Sequence, residues 1–224
     1  MCSDARGEKN SEGLLQSATP FSRSKIFPKA FRRGVPPVLH SRRPVAMLRL
    51  YDVPGISEPP MDPNAALRSH LTDLLTARQA HCTFADAVAH MPTEHRGDRP
   101  ESLPYSVWEL AEHIRRAQRD ILDYCRTPDY EAADWPHDYW PDAPAPSTPT
   151  AWDASVAQVQ TDQEALCDLV TDETIDLYET VPSSDEHTYL REVMLVADHT
   201  AYHVGQIVTV RRALGLWPPS GDAE

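Results

Sequence analysis

The stretch Thr188–Leu214 constrains this chain most. Leu190, Val193, Ala197, Ala201, Val204 and Val208 recur three or four residues apart, and no proline interrupts them. That period places them on one face of a long helix. Thr188 suits its start, and Gly215 followed by Pro218 marks its stop. A chain built around such a segment must supply other apolar helix faces to cover it.

Three further segments supply them. Asp62-Pro63 opens a helix, with Asp as N-cap and Pro in the first turn. Leu67, Leu71, Leu74, Leu75, Ala77, Phe84 and Val88 extend its pattern to Met91-Pro92, which predicts a single helix over that whole range. Ser106-Val107-Trp108-Glu109 is a capping box that opens a second helix. Its stripe runs through Val107, Leu110, Ile114, Ala117, Ile121 and Tyr124, and it ends near Thr127-Pro128. A third helix follows Thr150 with Trp152, Val156, Val159, Leu166, Leu169 and Val170. No strand pattern competes, so the expected fold is all-α, an up-down four-helix bundle. Between the second and third helices, residues 128–150 contain six prolines together with Trp135, Tyr139 and Trp140. A loop this long and aromatic is expected to pack over the bundle, either as a lid or as a hydrophobic anchor.

The ends of the chain read differently. Residues 1–60 are rich in Ser, Arg, Pro and Gly and lack sustained periodicity. They are expected to form a disordered extension or to lie upstream of a true start at Met47 or Met61. A targeting segment is the third reading, weakened by Asp4, Glu8 and Glu12. The bundle is assigned to residues 61–218, and 219–224 to a short tail.

Charge and cysteine usage narrow the function. The net charge is −13, yet residues 1–49 hold ten Lys/Arg against three Asp/Glu. The remainder is therefore strongly acidic and a poor match for phosphate backbones, so no nucleic-acid partner is expected. No run of 18 apolar residues occurs, so no membrane span is expected. Cys2, Cys82, Cys125 and Cys167 form no Cys-x-x-Cys pair, and a reduced, cytoplasmic setting fits them.

The chemistry concentrates at Asp198-His199-Thr200-Ala201-Tyr202-His203. Histidines four apart lie one turn above the other and can converge on one ion. On an exposed face they would be ordinary helix residues. Here they adjoin an apolar stripe, where unpartnered imidazoles are costly. His113 lies between Leu110 and Ala117 of the second helix's stripe, so it also points inward. Three inward histidines on two helices favour a shared metal over three separate core residues. Such a site leaves coordination positions open, the pattern of catalytic centres. Sequence neighbours Glu112, Asp198 and Gln206 are candidates to orient the rings, or else solvated surface residues. His81, read as mid-helix, is a candidate acid/base group or fourth ligand; a plain surface histidine is the simpler reading.

Trp108-Glu109-Leu110-Ala111-Glu112-His113, the later Asp198-His199-x-x-x-His203 with Gly205-Gln206-Ile207, the Pro104-Tyr105-Ser106 lead-in and the closing Arg211-Arg212-x-Leu214-Gly215 resemble the DinB/YfiT-like superfamily. The resemblance covers about residues 62–218. It implies a four-helix bundle, a His113/His199/His203 metal triad holding zinc or nickel, and a homodimer. It further implies a metal-dependent hydrolase or a transferase using a low-molecular-weight thiol on a small-molecule substrate. The alternative is a non-catalytic metal-binding stress or scavenging protein.

Overall fold

A computed structural model describes residues 62–219. The basic extension with Met47 and Met61, and the tail beyond residue 219, lie outside the described residues. Five helices form: α1 (Pro63–Thr76), α2 (Phe84–Val88), α3 (Val107–Arg126), α4 (Pro149–Thr171) and α5 (Tyr189–Ala213). No β-strand occurs among the described residues; one isolated bridge joins Thr180 and Thr188. The described residues thus form an all-α bundle of four long α-helices plus one short one, with two 3-10 turns, Thr93–His95 and His137–Tyr139.

The predicted single helix from Asp62 to Met91 is corrected. It breaks at Ala77, whose backbone is extended, and α2 begins anew seven residues later. The reason is a second start signal inside the segment. The Thr83 hydroxyl accepts from the Asp86 N–H, and the Asp86 carboxylate accepts from the Thr83 N–H. This capping box satisfies donors that a continuous helix would not leave free. The buried Arg211 of α5 then donates to the carbonyls of Ala87 and Ala89, which closes the other end of α2.

The ends of α3 and α5 follow the sequence signals, whereas α4 begins at Pro149, slightly ahead of the expected start after Thr150, with Thr148 as its cap. Ser106 and Glu109 form the expected box at the start of α3. Gly215 has φ of +73° past the end of α5, and the Leu216 N–H donates to the Arg211 carbonyl. That left-handed residue is a Schellman stop, which glycine adopts without steric cost.

Helix directions follow from contact registers. Gln118 donates to the Val159 carbonyl and Arg126 to the Ala165 carbonyl, so α3 and α4 run parallel. Arg68 reaches the Val170 carbonyl and Gln163 the Leu75 carbonyl, so α1 and α4 are antiparallel. His113 meets His199, whereas Tyr124 meets His187 just ahead of α5, so α3 and α5 are antiparallel. The four long helices therefore run up, down, down, up. Both α1 and α3 pack against α4 and α5.

The core has two apolar clusters. One joins α2, the first half of α3, the start of α4 and the second half of α5. The other joins α1, the ends of α3 and α4, and the first half of α5. The buried Arg68 of α1 donates to the Val170, Asp172 and Ile175 carbonyls at and just beyond the end of α4. No helix among the described residues is long and apolar enough to cross a membrane.

The Ser106 hydroxyl both caps α3 and donates to the Pro144 carbonyl. Ser106→Ala is expected to lower stability by about 1–2 kcal/mol. The readout is a lower urea midpoint at unchanged slope; an unshifted midpoint would show that neither bond matters.

Candidate metal centre

His113 lies on the second turn of α3, and His199 and His203 lie one turn apart on α5. Antiparallel packing of these two helices brings the three rings together. Their candidate ligand nitrogens all fall within 4.8 Å of one another. The Nε2 atoms of His113 and His199 are 3.1 Å apart. Two imidazole nitrogens bound to one tetrahedral ion at about 2.0–2.1 Å each would stand about 3.3 Å apart.

The far side of two rings is fixed. His113 Nδ1 is 2.9 Å from the Tyr139 carbonyl. A carbonyl only accepts, so Nδ1 carries the proton and the neutral ring keeps its lone pair on Nε2. His203 Nδ1 donates to Gln206 Oε1 at 2.7 Å, which leaves its Nε2 lone pair available too. Because His113 Nε2 then only accepts, its 3.1 Å contact with His199 is a donation from His199 Nε2–H. With its proton on Nδ1 instead, His199 turns a third lone pair to the same point.

Electrostatics keep these rings neutral. Burial pushes His113 down to about 4, against a smaller upward pull from the Tyr139 carbonyl. Burial, and then the two neighbouring imidazoles, push His199 down to about 3. Burial also lowers His203, although its bond to Gln206 opposes the shift. Metal ligation requires the neutral form, so the three donors are ready at neutral pH.

The aromatic loop closes over this cluster. Trp140 stacks on His113 with centroids 3.9 Å apart and planes within 4°. Tyr105 stacks on the same indole at 4.6 Å. Trp135 approaches His113 at 6.4 Å and remains partly exposed. Side chains of α3 bind the loop: Arg116 donates to the Asp138 and Trp140 carbonyls, and Asp120 accepts from the Tyr130 and Tyr139 hydroxyls.

Other sequence candidates fall elsewhere. Gln206 meets His203. Glu112 touches no imidazole; it is buried and pairs with Arg115 and Arg116. Asp198 is exposed and is not among the partners of the three rings. His81 is corrected: it is not mid-helix but in the turn between α1 and α2, exposed, with Nδ1 2.8 Å from the Cys82 carbonyl. It lines a small cavity with Gln118, Gln163 and Thr200, and none of the three triad histidines lines that cavity. The break at Ala77 put it there. Arg116 and Asp120 escaped the sequence reading, although their spacing from His113 places all three on one helix face. The Tyr139 carbonyl has no side-chain signature at all.

Depressed histidines make the metal-free fold acid-sensitive. Between pH 6.5 and about 4, an unfolded His113 binds a proton that the folded one refuses. Stability therefore falls as pH drops through this window, by about 1.4 kcal/mol per pH unit for each such imidazole. Thermal melts of chelator-treated protein at pH 7.5 and 5.0 should show the loss, and His113→Gln should reduce it. Equal slopes in both proteins would contradict the assignment.

A family model described as the DinB superfamily matches residues 64–207. No curated protein and no solved structure matches the chain. The family match runs from the first turn of α1 to the far side of His203 and covers more than half of the sequence, so the chain belongs to the DinB superfamily.

Proposed function

We propose that His113, His199 and His203 hold one divalent ion, zinc or nickel, and that the protein is a metal-dependent hydrolase or thiol-dependent transferase acting on a small molecule. The observation that carries this reading is the convergence of three neutral imidazoles on one point, those of His113 and His203 buried and with their other nitrogen already committed. The donor set fits: neutral nitrogen ligands suit zinc, nickel and copper, and three of them leave positions open. Such an ion, when bound, supplies Lewis acidity that lowers the pKa of an adjacent water or thiol. The protein's own part is positioning. Tyr139 and Gln206 fix ring tautomers, Trp140 covers one face of His113, and burial keeps protons off the ligands. His199 is the least enclosed of the three histidines and Tyr202 beside it is exposed, which supports approach of a small molecule from the α5 side.

Elemental analysis of untagged protein should find close to one equivalent of metal, and a His199→Ala/His203→Ala double mutant should lose it. Metal at 100 times its Kd should stabilise the wild type by about 2.7 kcal/mol. No stoichiometric metal after reconstitution at neutral pH would sink the reading. A loaded protein that turns over neither hydrolysable nor thiol-acceptor substrates would retain the ion but overturn the enzyme assignment. Gln206→Leu removes the His203 partner and should weaken metal binding about 10- to 100-fold, as measured by competition with a chromophoric chelator; unchanged affinity would show that Gln206 does not orient the ligand.

A further inference from the structure

Three consecutive backbone carbonyls of the aromatic loop point at one face of α3. Arg116 Nη1 holds those of Asp138 and Trp140, at 3.1 and 3.0 Å. The carbonyl between them, that of Tyr139, is left facing His113 Nδ1 at 2.9 Å. Arg116 is itself anchored, since its Nε donates to Glu112 at 3.2 Å. Glu112 is buried and also takes a two-pronged contact from Arg115. The guanidinium thus bridges two peptide units and fixes the rotation of the one between them. The same grip sets the backbone of Trp140, whose ring lies flat on His113.

We infer that Arg116 is a positioning residue for the metal ligand His113, acting through the Tyr139 carbonyl and the Trp140 ring. This rests on the triad holding a metal. The physical reason is that a ligating imidazole binds well only when its second nitrogen has a fixed partner. A backbone carbonyl in a long loop becomes such a partner only if the loop is held on both sides of it. Arg116 can do this because its fork presents donors in a rigid plane, with Nε turned to Glu112 and Nη1 to the loop. Asp120 also binds the loop, through the hydroxyls of Tyr130 and Tyr139.

The test uses the full chain loaded with Co(II). Its affinity is measured by chelator competition and its ligand field by visible absorption, with melting of the chelator-treated protein alongside. Arg116→Met should weaken Co(II) binding about 10- to 100-fold and change the absorption bands. Arg116→Lys, which keeps one donor group near the loop, should fall between. A Tyr130→Phe/Tyr139→Phe double variant loosens the loop but leaves the Tyr139 carbonyl under Arg116, and should cost less affinity than Arg116→Met. The inference is overturned if Arg116→Met binds Co(II) as the wild type does. It is overturned as well if the tyrosine variant loses as much affinity, because Arg116 would then act only by keeping the loop down. A wild type that takes up no Co(II) would instead overturn the metal reading itself.

Discussion

The parallel course of α3 and α4 governs the rest of the molecule. A helix of 20 residues, the length of α3, spans about 30 Å. To begin α4 beside the start of α3, the chain must return over that distance. The connection does so along α3 itself: Tyr130 meets Asp120, Tyr139 meets His113 and Asp120, and Pro144 meets Ser106. A long loop is therefore required by topology, and its path takes it across the histidines.

This return path gives the site its character. Two sides come from rigid helices and one from the return loop, whose single 3-10 turn, His137–Tyr139, ends with the Tyr139 carbonyl turned to His113. A carbonyl at the end of such a turn can serve as a ring partner, which the interior of a long helix does not offer. The aromatic residues cover His113 with Trp140 and exclude water from it, which is the main cause of its lowered pKa. The same burial makes the metal-free site costly to protonate. Site chemistry and fold stability are thus linked through the same imidazoles.

Much of this was legible in the sequence because it is local. The Ser106–Glu109 box, the Thr188 start and the Gly215 stop depend on residues within one turn of each other, and these elements formed where the spacing predicts. His199 and His203 share a face through helical geometry alone. The failure at Ala77 has the opposite origin. Apolar residues on both sides of the break kept a helical spacing, yet the Thr83–Asp86 box and the tertiary grip of Arg211 on Ala87 and Ala89 favoured two helices. His81 was misplaced as a consequence, since its position depended on that helix being continuous.

The sequence by itself determined four long helical patterns, their caps, an inward-facing His113 and a histidine pair one turn apart. These rest on period and on backbone donors that must be satisfied nearby. Only the tertiary structure decided that α3 lies antiparallel to α5, that the loop lies along α3, and that Tyr139, Gln206 and Trp140 surround the rings while Glu112 and Asp198 do not. Those outcomes depend on packing between segments far apart in the chain and on the direction of a peptide carbonyl, which no side chain encodes.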